Sequence, residues 1–412
     1  MVSRGPALMC GASVGTVLFG LWCGSCVFAY SEAKPHSPTV QECIRDLEGG
    51  DVPARVRAAS DLAGFGLAAK PAVGVLAKAL EDPSPEVRKA AALTLATLGS
   101  SARKAVPALV KALGQKDDEC RREVAICVGA IGPPAKEAIP VLVHGLDDPD
   151  LGMRQACAIA IGAMGPDAHA AVPRLVRALG DKDEEVRAAV CLAIGNINGH
   201  NKGAVPDLVR CLLDEDDHVR RAAALALGAT GPAASAAVEP LTRALTDQEP
   251  GVRETAAMAL LGIGAAAKPS TASLLQALRD PDPRVRKAAA TALGVVGVDD
   301  AQTPRALGES LRDDHEGVRH AAAYSLAELG PRGAVAVPAL ISALKDSDET
   351  VRIEAAYALG ATGPAAHAAI PSLNELISEP TIGEVARAAV HAIEGKIETE
   401  SGGPAKSDAK QE

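Results

Sequence analysis

Apolar residues recur along this chain with a helical period, in short segments separated by polar turns. Between Ala171 and Leu179 they fall at Val172, Leu175, Val176 and Leu179, three and four positions apart, which predicts a helix with one buried stripe. Pro173 sits near its start, where a missing N–H costs little; further in, a proline would bend the helix. Asp181 to Glu184 read as a polar turn, and a second helix is predicted from Val186 through Ile194, ending near Asn198. Acidic residues ahead of its first turn suit the positive end of the helix dipole. Nothing alternates with period two, so no strands are expected.

This two-helix unit repeats every 33 residues. Arg88, Arg121, Arg154, Arg187, Arg220, Arg253, Arg286, Arg319 and Arg352 keep that spacing without exception. An aspartate stands six positions earlier at Asp82, Asp148, Asp181, Asp214, Asp247, Asp280, Asp313 and Asp346, with Gln115 the one gap. Gly99, Gly132, Gly165, Gly231, Gly264, Gly297, Gly330 and Gly363 follow eleven positions after the arginine, and Asn198, tolerant of the left-handed conformation, replaces the ninth. Pro107, Pro140, Pro173, Pro206, Pro338 and Pro371 share the phase, whereas Pro71, Pro240, Pro269 and Pro304 are displaced from it. The first unit, with Arg55 and Arg57, and the last, with Val385-Ala386-Arg387, read as slipping out of phase, as capping units do. No unit can bury its apolar face alone; stacked neighbours make a continuous core, and the Ala and Gly of the second helices allow close approach.

A proline in the first helix, an aspartate eight residues later and an arginine six after that (Pro173, Asp181, Arg187; likewise Pro140, Asp148, Arg154 and Pro338, Asp346, Arg352) resemble the HEAT repeat. The Ala-rich unit with Val-Arg-x-Ala-Ala and a closing glycine is similar to the subgroup named after phycobilisome lyase subunits. The resemblance covers about 360 of the 412 residues. It implies an all-α, right-handed solenoid of about eleven helical hairpins over residues 34–396, with the aspartates and arginines bonded as a structural ladder between neighbouring turns. It also implies that the second helices line a concave side.

Composition narrows the function. Hydrophobic residues make up 48% and charged residues 23% of the chain, with a formal net charge of -10, which argues against a nucleic-acid binder and against a disordered polyelectrolyte. Aromatics are 2%, and beyond residue 30 only Phe65, Tyr324 and Tyr357 remain, far too few for an ordinary enzyme core. Residues 1–33 read as an export signal: a basic start at Arg4, then no charge until Glu32, with Val27 and Ala29 as small cleavage determinants. The rivals are an uncleaved membrane tether through residues 5–31 and a lipid on Cys26. Each places the rest outside the cytoplasm. Gly11-Ala12-Ser13-Val14-Gly15 and Cys23-Gly24-Ser25-Cys26 imitate catalytic and redox motifs but lie in this apolar leader. Residues 397–412 read as a disordered polar tail.

The candidate partner surface is the line one residue after each arginine: Lys89, Arg122, Gln155, Ala188, Arg221, Glu254, Lys287, His320 and Ile353, pointing away from the apolar face. Tyr324 and Tyr357, one repeat apart with His320 nearby, offer an aromatic patch; because Leu93, Ile126, Ile159, Leu192 and Leu225 occupy equivalent positions, packing between repeats is the favoured reading of them. The acidic turns (Glu81-Asp82, Asp117-Asp118-Glu119, Asp147 to Asp150, Asp181 to Glu185, Asp214 to Asp217, Asp313-Asp314) read first as a solvated capping edge and second as a negative ridge for a basic partner or cations. No His pair has ligand spacing, no phosphate loop is present, and no calcium loop fits Asp346-Ser347-Asp348. No catalytic residue, cofactor or metal is therefore expected. Cys43, Cys120, Cys127, Cys157, Cys191 and Cys211 read mostly as buried small hydrophobes, since repeats about 10 Å apart keep cysteines of neighbouring repeats beyond disulfide reach; the alternative is a bridge within one repeat, which an oxidising compartment permits. The expected function is an exported, monomeric, non-enzymatic scaffold binding a protein along its concave face; the alternative is a chromophore- or cofactor-handling lyase subunit.

Overall fold

The structure, a computed structural model, describes residues 38–115, 119–197 and 202–395, so the leader, Asn198 and the polar tail lie outside the described residues. These residues are helices and turns, with no strand among them. They form two compact units, one ending at Thr230 and the other beginning at Gly231. The first is a stack of helical pairs from Val40–Gly49 and Val52–Gly64 to Val205–Cys211 and Asp217–Thr230; the second runs from Gly231–Ala237 to Gly383–Ile393. Each unit is an α-solenoid stack.

The repeat beginning at Gly165 shows how sequence makes the unit. Gly165 takes φ +58°, a left-handed turn that only glycine adopts without strain. The chain then winds as a seven-residue 3-10 helix, Gly165–Ala171, before the α-helix Val172–Ala178. The first helix is thus in two parts where the apolar period predicts one. The tighter three-residue winding places Ala168 and Ala171 on the same buried side. Pro173 falls in the first turn of the α part, where its missing N–H has no helical acceptor. Displaced prolines find equally harmless places: Pro71 and Pro269 inside the 3-10 turns, Pro240 and Pro304 in first turns. Asp183 then caps the second helix, Glu184–Asn196, accepting from the N–H groups of Glu185 and Val186. One repeat departs from the pattern. Gly297 has φ -93° and no 3-10 turn follows; Asp300 instead accepts from the N–H groups of Gln302 and Thr303 ahead of the helix Thr303–Ser310.

The buried core is built of Ala, Leu, Val and Ile with a few Met and Cys. Such small side chains allow neighbouring second helices to approach nearly backbone to backbone. A Cβ added at Gly162 would lie 2.7 Å from the Cα of Ala193, and one at Gly195 would lie 2.8 Å from that of Ala226. In the second unit Gly294 faces Ser325 and Gly360 faces Ala389 in the same way. Two hydroxyls exploit this closeness: Thr94 Oγ1 donates to the Ala59 carbonyl at 2.7 Å, and Ser325 Oγ to the Ala290 carbonyl at 2.9 Å. The repeat spacing does not keep cysteines apart, however. All six described cysteines are buried and free, yet the thiols of Cys191 and Cys211, in successive repeats, hydrogen-bond each other. The spacing of about 10 Å separates helix axes, and side chains reaching inward from both sides close most of it.

Arginines join turn to turn. Arg154 holds Asp181 of the next repeat through Nε (2.7 Å) and Nη2 (2.9 Å), while its Nη1 donates back to the Asp148 carbonyl at 3.0 Å. Arg187 with Asp214 repeats this in the first unit, as do Arg253 with Asp280, Arg286 with Asp313 and Arg319 with Asp346 in the second. Arg121 reaches Asp148 through one nitrogen. Where Gln115 replaces the aspartate, Arg88 keeps its bonds to the carbonyls of Asp82 and Pro83, and Arg220 and Arg352 likewise bond the Asp214 and Asp346 carbonyls. Arg55 corrects the expectation of an out-of-phase first unit: it holds Asp82 in the same two-pronged way and donates to the Gly50 carbonyl. It stands 33 residues before Arg88, so the spacing already contained it. Burial works against the charged form of Asp181, but the bonds from Arg154 and the Asp183 N–H prevail and hold its carboxyl below the ordinary value; Asp82, Asp214 and Asp346 behave alike.

Two predictions follow from this packing. Gly162→Ala forces a methyl against a backbone atom and should destabilise by about 2 kcal/mol, whereas Gly74→Ala, with open space around it, should be neutral or stabilising by about 0.5 kcal/mol. Urea midpoints of the two variants check this, and equal shifts would refute the close approach. The carboxyls of Asp82, Asp181, Asp214 and Asp346 have folded pKa values below the unfolded value of about 3.9, so their contribution is complete above that pH and is lost as pH falls through the folded values. Acid titration of Asp181→Asn followed by circular dichroism should show lower stability at neutral pH and a shallower loss on acidification than the parent.

Candidate functional site: the exposed face of the second helices

Each second helix buries the side that meets its neighbours and leaves a strip uncovered. Val87, Ala91 and Leu95 are buried, while Lys89 and Leu93 on the same helix are exposed. The strip has two rows. The row one residue after the arginine holds exposed Lys89, Arg122, Arg221 and Lys287 and half-buried Gln155, Ala188, Glu254, His320 and Ile353. Four residues further, one turn along, lies an apolar row. Leu93, Ile159 and Leu225 are exposed in the first unit, with Ile126 and Leu192 half-buried between them; Met258, Tyr324 and Tyr357 are exposed in the second. Tyr324 is 43% and Tyr357 63% exposed, so both rings keep a large part of their surface in solvent.

Electrostatics in the strip are local. Glu123, one residue beyond the charged row, is buried, with Lys89 Nζ at 3.4 Å and an Arg122 nitrogen at 3.6 Å. Two of the basic residues therefore share one buried carboxylate, a grouping that reading single rows misses. In the second unit Glu354 holds the equivalent place, with His320 Nε2 at 3.8 Å. Burial pushes the Glu354 carboxyl above its ordinary value; His320 opposes this and Glu328 adds to it. Burial also raises the Tyr324 hydroxyl, as do the charges of Glu328 and Glu354 and a hydrogen bond with Glu328.

The acidic turns are largely occupied. In several of them one aspartate accepts the ladder arginine and another caps the second helix, as Asp148 and Asp150 do, or Asp346 and Asp348. Glu81 pairs with Lys111, Asp147 with Arg174 and Asp314 with Arg286. Asp117 and Asp118 lie outside the described residues. Asp216, Asp217 and His218 bring three metal-capable side chains together, at spacings a search for paired histidines overlooks. Asp216 already accepts from the Val219 N–H as a cap. The clefts between turns are shallow: one of about 360 Å³ is lined by Asp247, Gln276 and the paired Arg253 and Asp280, another of about 290 Å³ by Asp147, Arg174 and Asp181. The strip is thus the broad surface these stacks offer.

Comparison with known proteins agrees with this architecture. A family profile of HEAT repeats matches in overlapping segments from residue 44 to residue 327 and again at 304–394. No match is found among curated proteins. Among solved structures the chain is similar to an engineered protein, at 25% identity and TM-score 0.51, over 86% of this chain and 98% of that one. It is also similar to importin beta, at 14% identity and TM-score 0.59, over 88% of this chain and 58% of that one. Kap95p, from a structure concerned with its binding to RanGDP, matches at 14% identity and TM-score 0.56, over 86% and 56% of the two chains. The recurring proline, aspartate and arginine, the stacked hairpins they build and the profile match along nearly all the described residues agree, and the chain belongs to the HEAT-repeat family.

Proposed function

We propose that this protein is a non-enzymatic scaffold, exported from the cytoplasm, that docks a segment of a protein partner along the exposed face of its second helices. The observation that carries this reading is the doubled row: an apolar row exposed at Leu93, Ile159, Leu225, Met258, Tyr324 and Tyr357, running beside a charged row exposed at Lys89, Arg122, Arg221 and Lys287. Apolar area supplies binding free energy, and the neighbouring charges set orientation and partner choice. Stacked repeats suit an extended segment better than a compact ligand, because successive helices add contacts along the stack. Export rests on the uncharged stretch between Arg4 and Glu32.

Affinity capture from an envelope fraction tests the reading with two matched triple variants. Leu93→Asp, Ile159→Asp and Leu225→Asp interrupt the apolar row; Leu67→Asp, Leu213→Asp and Val335→Asp place the same charge on exposed apolar residues away from it. The first triple should lose the captured protein while melting within a few degrees of the parent, and the second should retain it. Loss in both, or in neither, would refute the docking face.

A further inference from the structure

The described residues contain three aromatic side chains, and two of them, Tyr324 and Tyr357, stand exposed on adjacent second helices. The core of the described residues uses no aromatic, so packing has no need of these rings. Their surroundings are acidic. Glu328 lies one turn beyond Tyr324 and bonds its hydroxyl, and half-buried Glu354 lies one turn before Tyr357. The arginines of the same helices are engaged elsewhere: Arg319 is held by Asp346 at 2.7 and 2.8 Å, and Arg352 by the Asp346 carbonyl. His320 approaches Glu354 only to 3.8 Å.

We propose that His320, Tyr324, Glu328, Glu354 and Tyr357 form a site for an arginine side chain presented by the docked segment of a protein partner. A guanidinium is planar, stacks on aromatic faces and forks its donors onto a carboxylate, so it uses both the rings and the glutamates. An anionic group would face Glu328 and Glu354 with no free cation to meet it in this cluster, and an apolar side chain would leave the glutamates unused. A partly desolvated carboxylate such as Glu354 gains most from a cation brought to it. This inference rests on the docking face proposed above and identifies the chemistry recognised on the second unit.

The test measures fluorescence anisotropy of a labelled hexa-arginine peptide with the full chain, beside its hexa-citrulline and hexa-lysine counterparts. Arginine should bind about tenfold more tightly than citrulline, which keeps the shape without the charge, and more tightly than lysine. Glu354→Gln and Tyr357→Leu should each weaken arginine binding about fivefold, while Tyr357→Phe, which keeps the ring and the fold, should not. Glu184→Gln with Glu185→Gln removes acidic charge from a turn of the first unit and should change nothing. Equal weakening there and at Glu354 would show general attraction to an acidic chain and overturn the site; so would citrulline or lysine binding as tightly as arginine. Partner capture that depends on Leu93, Ile159 and Leu225 alongside no arginine binding would sink this inference alone, whereas arginine binding without such capture would sink the docking face.

Discussion

A guanidinium shared between two turns is the contact on which the stacks depend. Arg154 satisfies a carbonyl of its own turn and a carboxylate of the next, so one side chain fixes both the close of one loop and the register of its neighbour. The aspartate it holds also accepts a backbone N–H two residues on, as Asp181 does from Asp183, so the turn is tied from both directions. A pair like this, mostly buried, adds little net energy compared with a well-packed apolar pair, and removing one partner strands the other. Its value lies in geometry: the fork admits one arrangement, and 33 residues later it is imposed again.

Once register is set this way, the core has no need of large interlocking side chains. Alanine and glycine suffice because neighbouring second helices nearly touch, as Gly162 and Ala193 do. Tight packing of small residues uses up the facing sides of each helix and leaves the remaining strip with no partner in the stack. Exposed leucines, isoleucines and tyrosines on that strip are therefore a consequence of how the fold is held together, and their recurrence makes a surface rather than scattered exceptions.

Much of this was legible in the sequence because repetition turns weak signals into strong ones. One proline, aspartate and arginine mean little; six prolines, eight aspartates and nine arginines in phase specify hairpin, stack and ladder. What repetition did not reveal were features that depend on depth and direction. The 3-10 start of the first helix hides in an Ala-rich segment whose period fits either winding. Arg55 was in phase, yet the poorly matching unit around it drew attention to its irregularity. Cys191 and Cys211 meet because side chains converge between axes, and spacing between axes alone misjudges them. Tyr324 and Tyr357 share a repeat position with aliphatic residues, which suggests half-buried packing between repeats; at that position the helix faces outward, and a larger side chain also reaches solvent.

The location of chemistry within the strip follows from the same logic. In the first unit the charged row is basic and a buried carboxylate, Glu123, already draws two of its members. In the second unit the equivalent carboxylate, Glu354, has a histidine rather than a lysine or arginine beside it, and aromatic rings stand where aliphatic side chains stood. The repeat frame is constant, so the difference lies in which charges are answered from within. A charge answered by its neighbour supports structure. One left partly desolvated beside an exposed ring, as Glu354 is, is better placed to meet a side chain from elsewhere.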